Sequence, residues 1–146
     1  MTTPEQNEQI VRDFFAVLST GHLENIRKTL HPDASWTPMV KDVPGAGVHA
    51  PRDVIVDQFL APVRGIFEDG DPKTTVDNIF CKGNTVCAET RGQGKLRNGN
   101  FYNNQYCWVI ELKDGLVWKI REYMDSHYVM KVVCCLLYTS PSPRDS

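Results

Sequence analysis

Four residues in the second half of the chain have side chains that move protons or hold charge: Glu89, Arg91, Tyr106 and Glu122. A carboxyl group exchanges protons near neutral pH only where burial or a neighbouring charge shifts its proton affinity, so what matters is which way each side chain points. The stretch "LKDGL" suits a three-residue hairpin loop with Gly115 in the left-handed position, which pairs Leu112 with Leu116, Ile110 with Trp118, Trp108 with Ile120 and Tyr106 with Glu122. One face then carries Ile110, Trp108, Trp118, Ile120 and Met124, and Glu122 points in among them; Arg121 and Asp125 point away. "RNGN" reads as a two-residue turn on Asn98-Gly99 that pairs Gln93 with Asn104, Arg91 with Tyr106 and Glu89 with Trp108.

On this register Arg91, Tyr106 and Glu122 form one row across three strands, with Glu89 in reach of Arg91. Gln93 and Asn104 make a second polar row beside Met124. A bulge at Gly92 or Gly94 would instead turn Val86 and Ala88 inward. Charge on a core face must be paired, hydrogen-bonded or neutralised. Two readings stay open: a structural Glu89–Arg91–Glu122 network, or a pocket with an acid/base group at its floor. The extra polar groups of Asn104, Gln93 and Tyr106 favour the pocket. There Glu122 transfers the proton, Tyr106 donates a hydrogen bond, Arg91 steadies negative charge, and Asn104 and Gln93 orient the substrate. Trp36, Trp108, Phe14, Ile120 and Met124 are the apolar residues expected around it.

The elements that position these residues follow from periodicity. Thr3, Pro4 and Gln6 form a capping-box start; Ile10, Val11, Phe14, Val17 and Leu18 repeat at helical spacing up to Gly21. Leu23, Ile26 and Leu30 mark a second helix stopping at "HPDA", "SWTP" a brief strand, and "VKDVPGAGVHAP" a loop. Pro51 opens a third helix that Pro62 should kink or end. From Lys73 the period becomes two, and four strands follow, at about 73–81, 85–95, 101–112 and 116–125. This is an α+β layout with helices packed on one face of an antiparallel meander.

With 41% hydrophobic and 23% charged residues the chain is an ordinary globular one, and its 146 residues suit a single domain over 1–133. A net charge of −2 offers no basic field for nucleic acid or anionic lipid, and no apolar run is long enough to span a membrane. Five cysteines without metal-ligand spacing, and four histidines likewise, fit a cytoplasmic protein without metal or cofactor. His49, just before Pro51, is expected to cap the third helix, with the pocket mouth as its second placing. The tail from Cys134 to Ser146 stands apart: "CLLYTSPSPRD" is also the in-frame translation of a transposon-based sequencing adapter, so residues 134–146 are expected to be read-through and not native.

The helices followed by a meander ending "NNQYCWVIELKDGLVWKIREYMDSH" resemble the nuclear transport factor 2-like superfamily, and within it SnoaL-like proteins, over residues 4 to about 130. The resemblance implies a cone-shaped α+β barrel. Relatives include ketosteroid isomerase, limonene epoxide hydrolase, polyketide cyclases, dehydratases and binding modules, so function must come from the site. Phe14 stands where the isomerase has a catalytic tyrosine, and Thr37-Pro38 where it has its base. Glu89, Arg91 and Glu122 match the positions of the epoxide hydrolase triad, with the order of the first two inverted. The expectation is therefore a cofactor-free acid/base enzyme acting on a small, mostly apolar molecule. An epoxide hydrolase with a rearranged triad and a non-catalytic binding or dimerisation module are the alternatives. A homodimer is expected through the outer sheet face, assigned to Val86, Ala88, Cys107, Val109 and Val117.

Overall fold

The computed structural model describes residues 2–135. Helix α1 (Pro4–Thr20) starts with the expected capping box, in which Thr3 Oγ1 accepts from Gln6 N at 3.1 Å and Gln6 Oε1 accepts from Thr3 N at 2.9 Å. Gly21, at φ 73°, closes it in the left-handed conformation open to glycine. Helix α2 (Leu23–Thr29) runs straight into strand β1 (Leu30–Pro38), which is longer than the brief strand expected at "SWTP".

The third helical segment does not end at Pro62. It runs as α3 (Arg52–Val54), a π-helical turn (Ile55–Leu60) and α4 (Ala61–Gly65). Proline has no N–H and its ring collides with the carbonyl four residues back; widening the preceding turn, so that Ala61 N reaches Val56 O, accommodates it.

Strands β2 (Lys73–Lys82), β3 (Thr85–Lys95), β4 (Phe101–Lys113) and β5 (Leu116–Met124) form the expected antiparallel meander. β1 adds to the open edge of β5 in parallel, making a mixed sheet of order β1-β5-β4-β3-β2. Helix α5 (Ser126–Val132) follows, with Asp125 as its cap.

Both hairpins close differently from expectation. Between β4 and β5 the turn is two residues, Asp114 and Gly115, both at positive φ (54° and 74°), with Lys113 opposite Leu116. Leu112 therefore faces Val117, and a bulge then restores the phase, so that Ile110 faces Ile120 and Trp108 faces Glu122. Val117 is buried, while Trp118 turns outward beneath the ammonium groups of Lys113 and Lys119. Ile120 and Glu122 still point inward, although Glu122 sits opposite Trp108 and not Tyr106.

Between β3 and β4 the loop spans residues 96–100, and Lys95 pairs with Phe101. Leu96 is drawn into a small core with Phe67 and Tyr102, and this costs the tight Asn98-Gly99 turn. The slip of one residue reverses every side chain of β3 relative to the expected pairing. Val86, Ala88 and Thr90 are buried, and Glu89, Arg91 and Gln93 lie on the outer face. Burying valine and alanine in place of two charged side chains is the cheaper choice.

The main core lies between the inner sheet face and α1, where Val11, Phe14, Phe15 and Leu18 meet Trp108, Ile110, Val117 and Ile120. Among the described residues no helix is long and apolar enough to cross a membrane.

Candidate active site

Glu122 has two partners in the strand order, β4 on one side and β1 on the other. β1 brings Trp36 alongside, and its indole Nε1 donates to Glu122 Oε1 at 2.9 Å. Glu122 is 9% exposed, and Trp36 is the one hydrogen-bond donor its carboxyl has among the described residues. Burial raises its pKa from 4.5 to about 7, the Trp36 N–H offsetting part of the shift. It therefore exchanges its proton near neutrality, which an exposed glutamate does not.

The carboxyl lies on the wall of a cavity of about 480 Å³ between the sheet, the π-helical segment and α5. That volume is within the usual range for a small-molecule site. Its walls are mostly apolar, from Pro38, Val40, Phe59, Val63, Phe67, Met124 and Val129, with no lysine or arginine on them among the described residues. His49 reaches the same cavity: its ring stacks on Phe59 at 4.1 Å and its Nε2 donates to the Gly45 carbonyl at 2.6 Å. The pocket-mouth placing is thus the one adopted.

Two phenols add to the polar part of the cavity, which also includes Gln58. Tyr102 Oη and Tyr106 Oη are 2.5 Å apart, and Asn104 Nδ2 donates to Tyr102 Oη at 2.9 Å. The amide of Asn104 is held in that orientation because Nδ2 also donates to the Asp125 carbonyl and Oδ1 accepts from Gln105 N. Two hydroxyls share one hydrogen bond, so whichever donates, one hydroxyl proton is left over on a group that lines the cavity. Burial pushes the Tyr102 phenol up to about 12 and Tyr106 well above its ordinary value, so both stay protonated donors.

Several expected site residues stand elsewhere. Arg91 lies on the outer face, where Nε and Nη2 form a fork on the Asp77 carboxylate at 2.8–3.1 Å. Glu89 accepts from Asn78 Nδ2 at 3.1 Å and Gln93 donates to Asn103 Oδ1 at 3.2 Å, also on that face. The Glu89–Arg91–Glu122 network, and with it the rearranged epoxide hydrolase triad, is not assembled. The slip in β3 separates its members. Phe14 and Ile120 are core residues, and Asn104 acts on Tyr102, being absent from the cavity wall. Trp108 borders a second, smaller chamber, and its Nε1 donates to Thr90 Oγ1 at 2.8 Å. Met124, Tyr106 and Glu122 line the main cavity.

Sequence reasoning missed Tyr102 and the wall supplied by α5. The signal for Tyr102 was present in the spacing of Tyr102, Asn104 and Tyr106, three alternate residues of one strand face. Among the described residues no three His, Cys, Asp or Glu side chains gather as a metal site needs.

The family model for the SnoaL-like domain matches residues 11–120. The chain belongs to the SnoaL-like domain family. Among solved structures it resembles Bal32a from a soil-derived mobile gene cassette, with 24% identity, 89% of this chain and 98% of that one covered, and a TM-score of 0.78. It also resembles TerC co-crystallised with polyporic acid (16% identity, 88% and 98% covered, TM-score 0.76). A third is an LEH-like epoxide hydrolase of M. tuberculosis (16% identity, 92% and 94% covered, TM-score 0.66). These likenesses establish the cone-shaped NTF2-like fold. No curated protein matches the chain.

Proposed function

We propose that this SnoaL-like protein is a cofactor-independent acid/base enzyme that moves a proton on a small, mostly apolar carbonyl compound. The observation that carries the reading is Glu122: a carboxyl with a pKa near 7 on the wall of an apolar cavity, beside a phenol pair with one hydroxyl proton to give. In its ionised form Glu122 takes a proton from the carbon next to the carbonyl. The C–H electron pair passes into a C=C bond, and charge collects on the substrate oxygen. The left-over hydroxyl proton of Tyr102 and Tyr106 meets that oxygen, as an oxyanion hole does. Return of the proton to another carbon completes an isomerisation; loss of a leaving group or attack on a second carbonyl gives a dehydration or a cyclisation. The superfamily includes cofactor-independent enzymes such as polyketide cyclases and epoxide hydrolases, which supports a reaction of this type.

The alternative is a binding protein in which Glu122 only anchors Trp36, an alternative supported by the 2.9 Å bond between them. A panel of ketones, polyketide-like phenols, epoxides and terpenoids distinguishes the two when tested on wild type and Glu122→Gln. Turnover in the wild type, abolished in the variant while ligand binding persists, is expected, with kcat/KM rising through about pH 7 and then levelling. Full turnover in Glu122→Gln overturns the assignment, and binding without turnover in both proteins favours the binding module.

We propose, too, that a second copy of the chain covers the outer sheet face. There Phe80 and Tyr123 are 56% and 40% exposed, near the half-buried Cys87, Cys107 and Val109. Val86, Ala88 and Val117, expected on that face, are buried on the other.

A further inference from the structure

Arg64 is a half-buried cation that forms no ion pair among the described residues. Its Nη1 donates to the Leu18 carbonyl at 3.1 Å and the Pro72 carbonyl at 3.3 Å. That uses two of the five guanidinium protons and leaves those on Nε and Nη2 without an acceptor among the described residues. The neighbouring Asp71 interacts with it by charge alone, its Oδ2 accepting instead from Lys95 N at 2.9 Å. Burial lowers the pKa of Arg64, as expected for a charge without a close counter-ion. The backbone makes room for this cation: a Cβ added at Gly21 would stand 2.6 Å from Arg64 Nη2.

Arg64 borders the second chamber, about 90 Å³, whose walls include Thr90, Gly92, Tyr106 and Glu122. Thr90 Oγ1 accepts from Trp108, and its own proton has no acceptor among the described residues. At Gly92 the absent side chain keeps the space open, since a Cβ there would meet the Tyr106 ring at 3.0 Å. Arg64 and Thr90 therefore offer donors, and the facing Glu122 is uncharged below about pH 7. Tyr106, Glu122, Phe59 and Phe67 belong to the walls of both this chamber and the main cavity.

We propose that the chamber is a carboxylate subsite in which Arg64 is the binding residue. The carboxylate belongs to an apolar acid whose body lies in the main cavity, or to a separate small acid. A guanidinium with free donors binds a planar carboxylate through charge-assisted, bidentate hydrogen bonds, and an ester lacks that charge. The proposal rests on the main cavity being a ligand pocket, and it does not require Glu122 to be catalytic.

Calorimetric titration at pH 6 tests it, where Glu122 holds its proton and a simple carboxylic acid does not. The probes are 4-phenylbutyrate, its methyl ester and acetate, on wild type, Arg64→Met and Arg64→Lys, each checked for a cooperative melt. Wild type should bind the acid about tenfold or more tighter than the ester. Arg64→Met should lose that preference, and Arg64→Lys, which keeps a cation without the fork, should keep part of it. If acetate also binds, and the ester binds more tightly in its presence, the carboxylate belongs to a separate small acid. Equal binding of acid and ester with no effect of acetate, or a preference that survives Arg64→Met, overturns the subsite alone. Should Arg64→Met not fold, Arg64→Lys with an undiminished preference overturns it. Failure of every probe to bind overturns the pocket reading and the subsite together.

Discussion

Glu122 makes opposite demands on chemistry and on stability. A buried carboxyl whose pKa lies near 7 in the fold and near 4.5 in the unfolded chain keeps its proton in the native state while the unfolded chain loses it. Between those two values the native state binds more protons, so stability falls as pH rises and levels off above about pH 7. Across that window the loss is about 3 kcal/mol, from roughly 1.4 kcal/mol per pKa unit. Glu122→Gln removes the titration, so the variant should melt higher than wild type at pH 8 and close to it at pH 4.5. A variant that melts lower at pH 8 would show that the carboxylate is stabilising there. This sign is the reverse of what an Arg91–Glu122 ion pair would produce, since a paired carboxylate has a lowered pKa; Arg91 is bound instead to Asp77 on the outer face. Tyr106→Phe keeps the ring and takes one hydroxyl from the pair. We expect kcat to fall by about 10²-fold, the scale of losing one oxyanion donor, while KM changes little. An unchanged kcat would leave the role to Tyr102.

Among the elements, α5 and the π-helical segment decide how the cavity is closed. Neither closes it through backbone pairing with the sheet. The segment Ile55–Leu60 presents Phe59 because Pro62 forces a wider turn. α5 is held at its far end by the β3–β4 loop: Asn98 Nδ2 and Asn100 Nδ2 each donate to the Val132 carbonyl at 3.1 Å. "RNGN" thus caps a helix that lies next to it in space, and the hairpin turn is wider than the dipeptide suggests. The double variant Asn98→Ala/Asn100→Ala should lose about 1–3 kcal/mol, from two hydrogen bonds. Faster hydrogen exchange is expected at the α5 amides, with α1 unaffected. Uniform acceleration across the chain would mean that α5 does not open by itself.

For the whole molecule, the sheet has one face covered by helices and one uncovered. The helix-covered face holds the core, and the outer face mixes salt bridges such as Arg91–Asp77 and Arg121–Glu111 with exposed Phe80 and Tyr123. A second copy seated there would bury those rings. Phe80→Asp would put a charge into that contact, and sedimentation velocity should show a dimer for wild type and a monomer for the variant. A wild-type monomer at micromolar concentration removes the proposal.

The sequence alone determined a good deal here. Periodicity located the first three helical segments and the meander, Thr3-Pro4 with Gln6 predicted a capped start, and alternation along β5 placed Glu122 inward. These are local signals, set by side-chain period and backbone chemistry within a few residues. The orientation of β3 was not of that kind. Two registers were available, one burying Glu89 and Arg91 and the other Val86 and Ala88. The choice depended on Leu96 finding Phe67 and Tyr102. Likewise, Glu122 meets Trp36 only because β1 runs parallel to β5 from a distant part of the chain. Tyr102, α5 and Arg64 reach the cavities through contacts of the same sort. Burial is a property of the assembled layers, and a one-residue slip reverses a strand, so the tertiary structure alone decided which charges faced the cavity and which the surface.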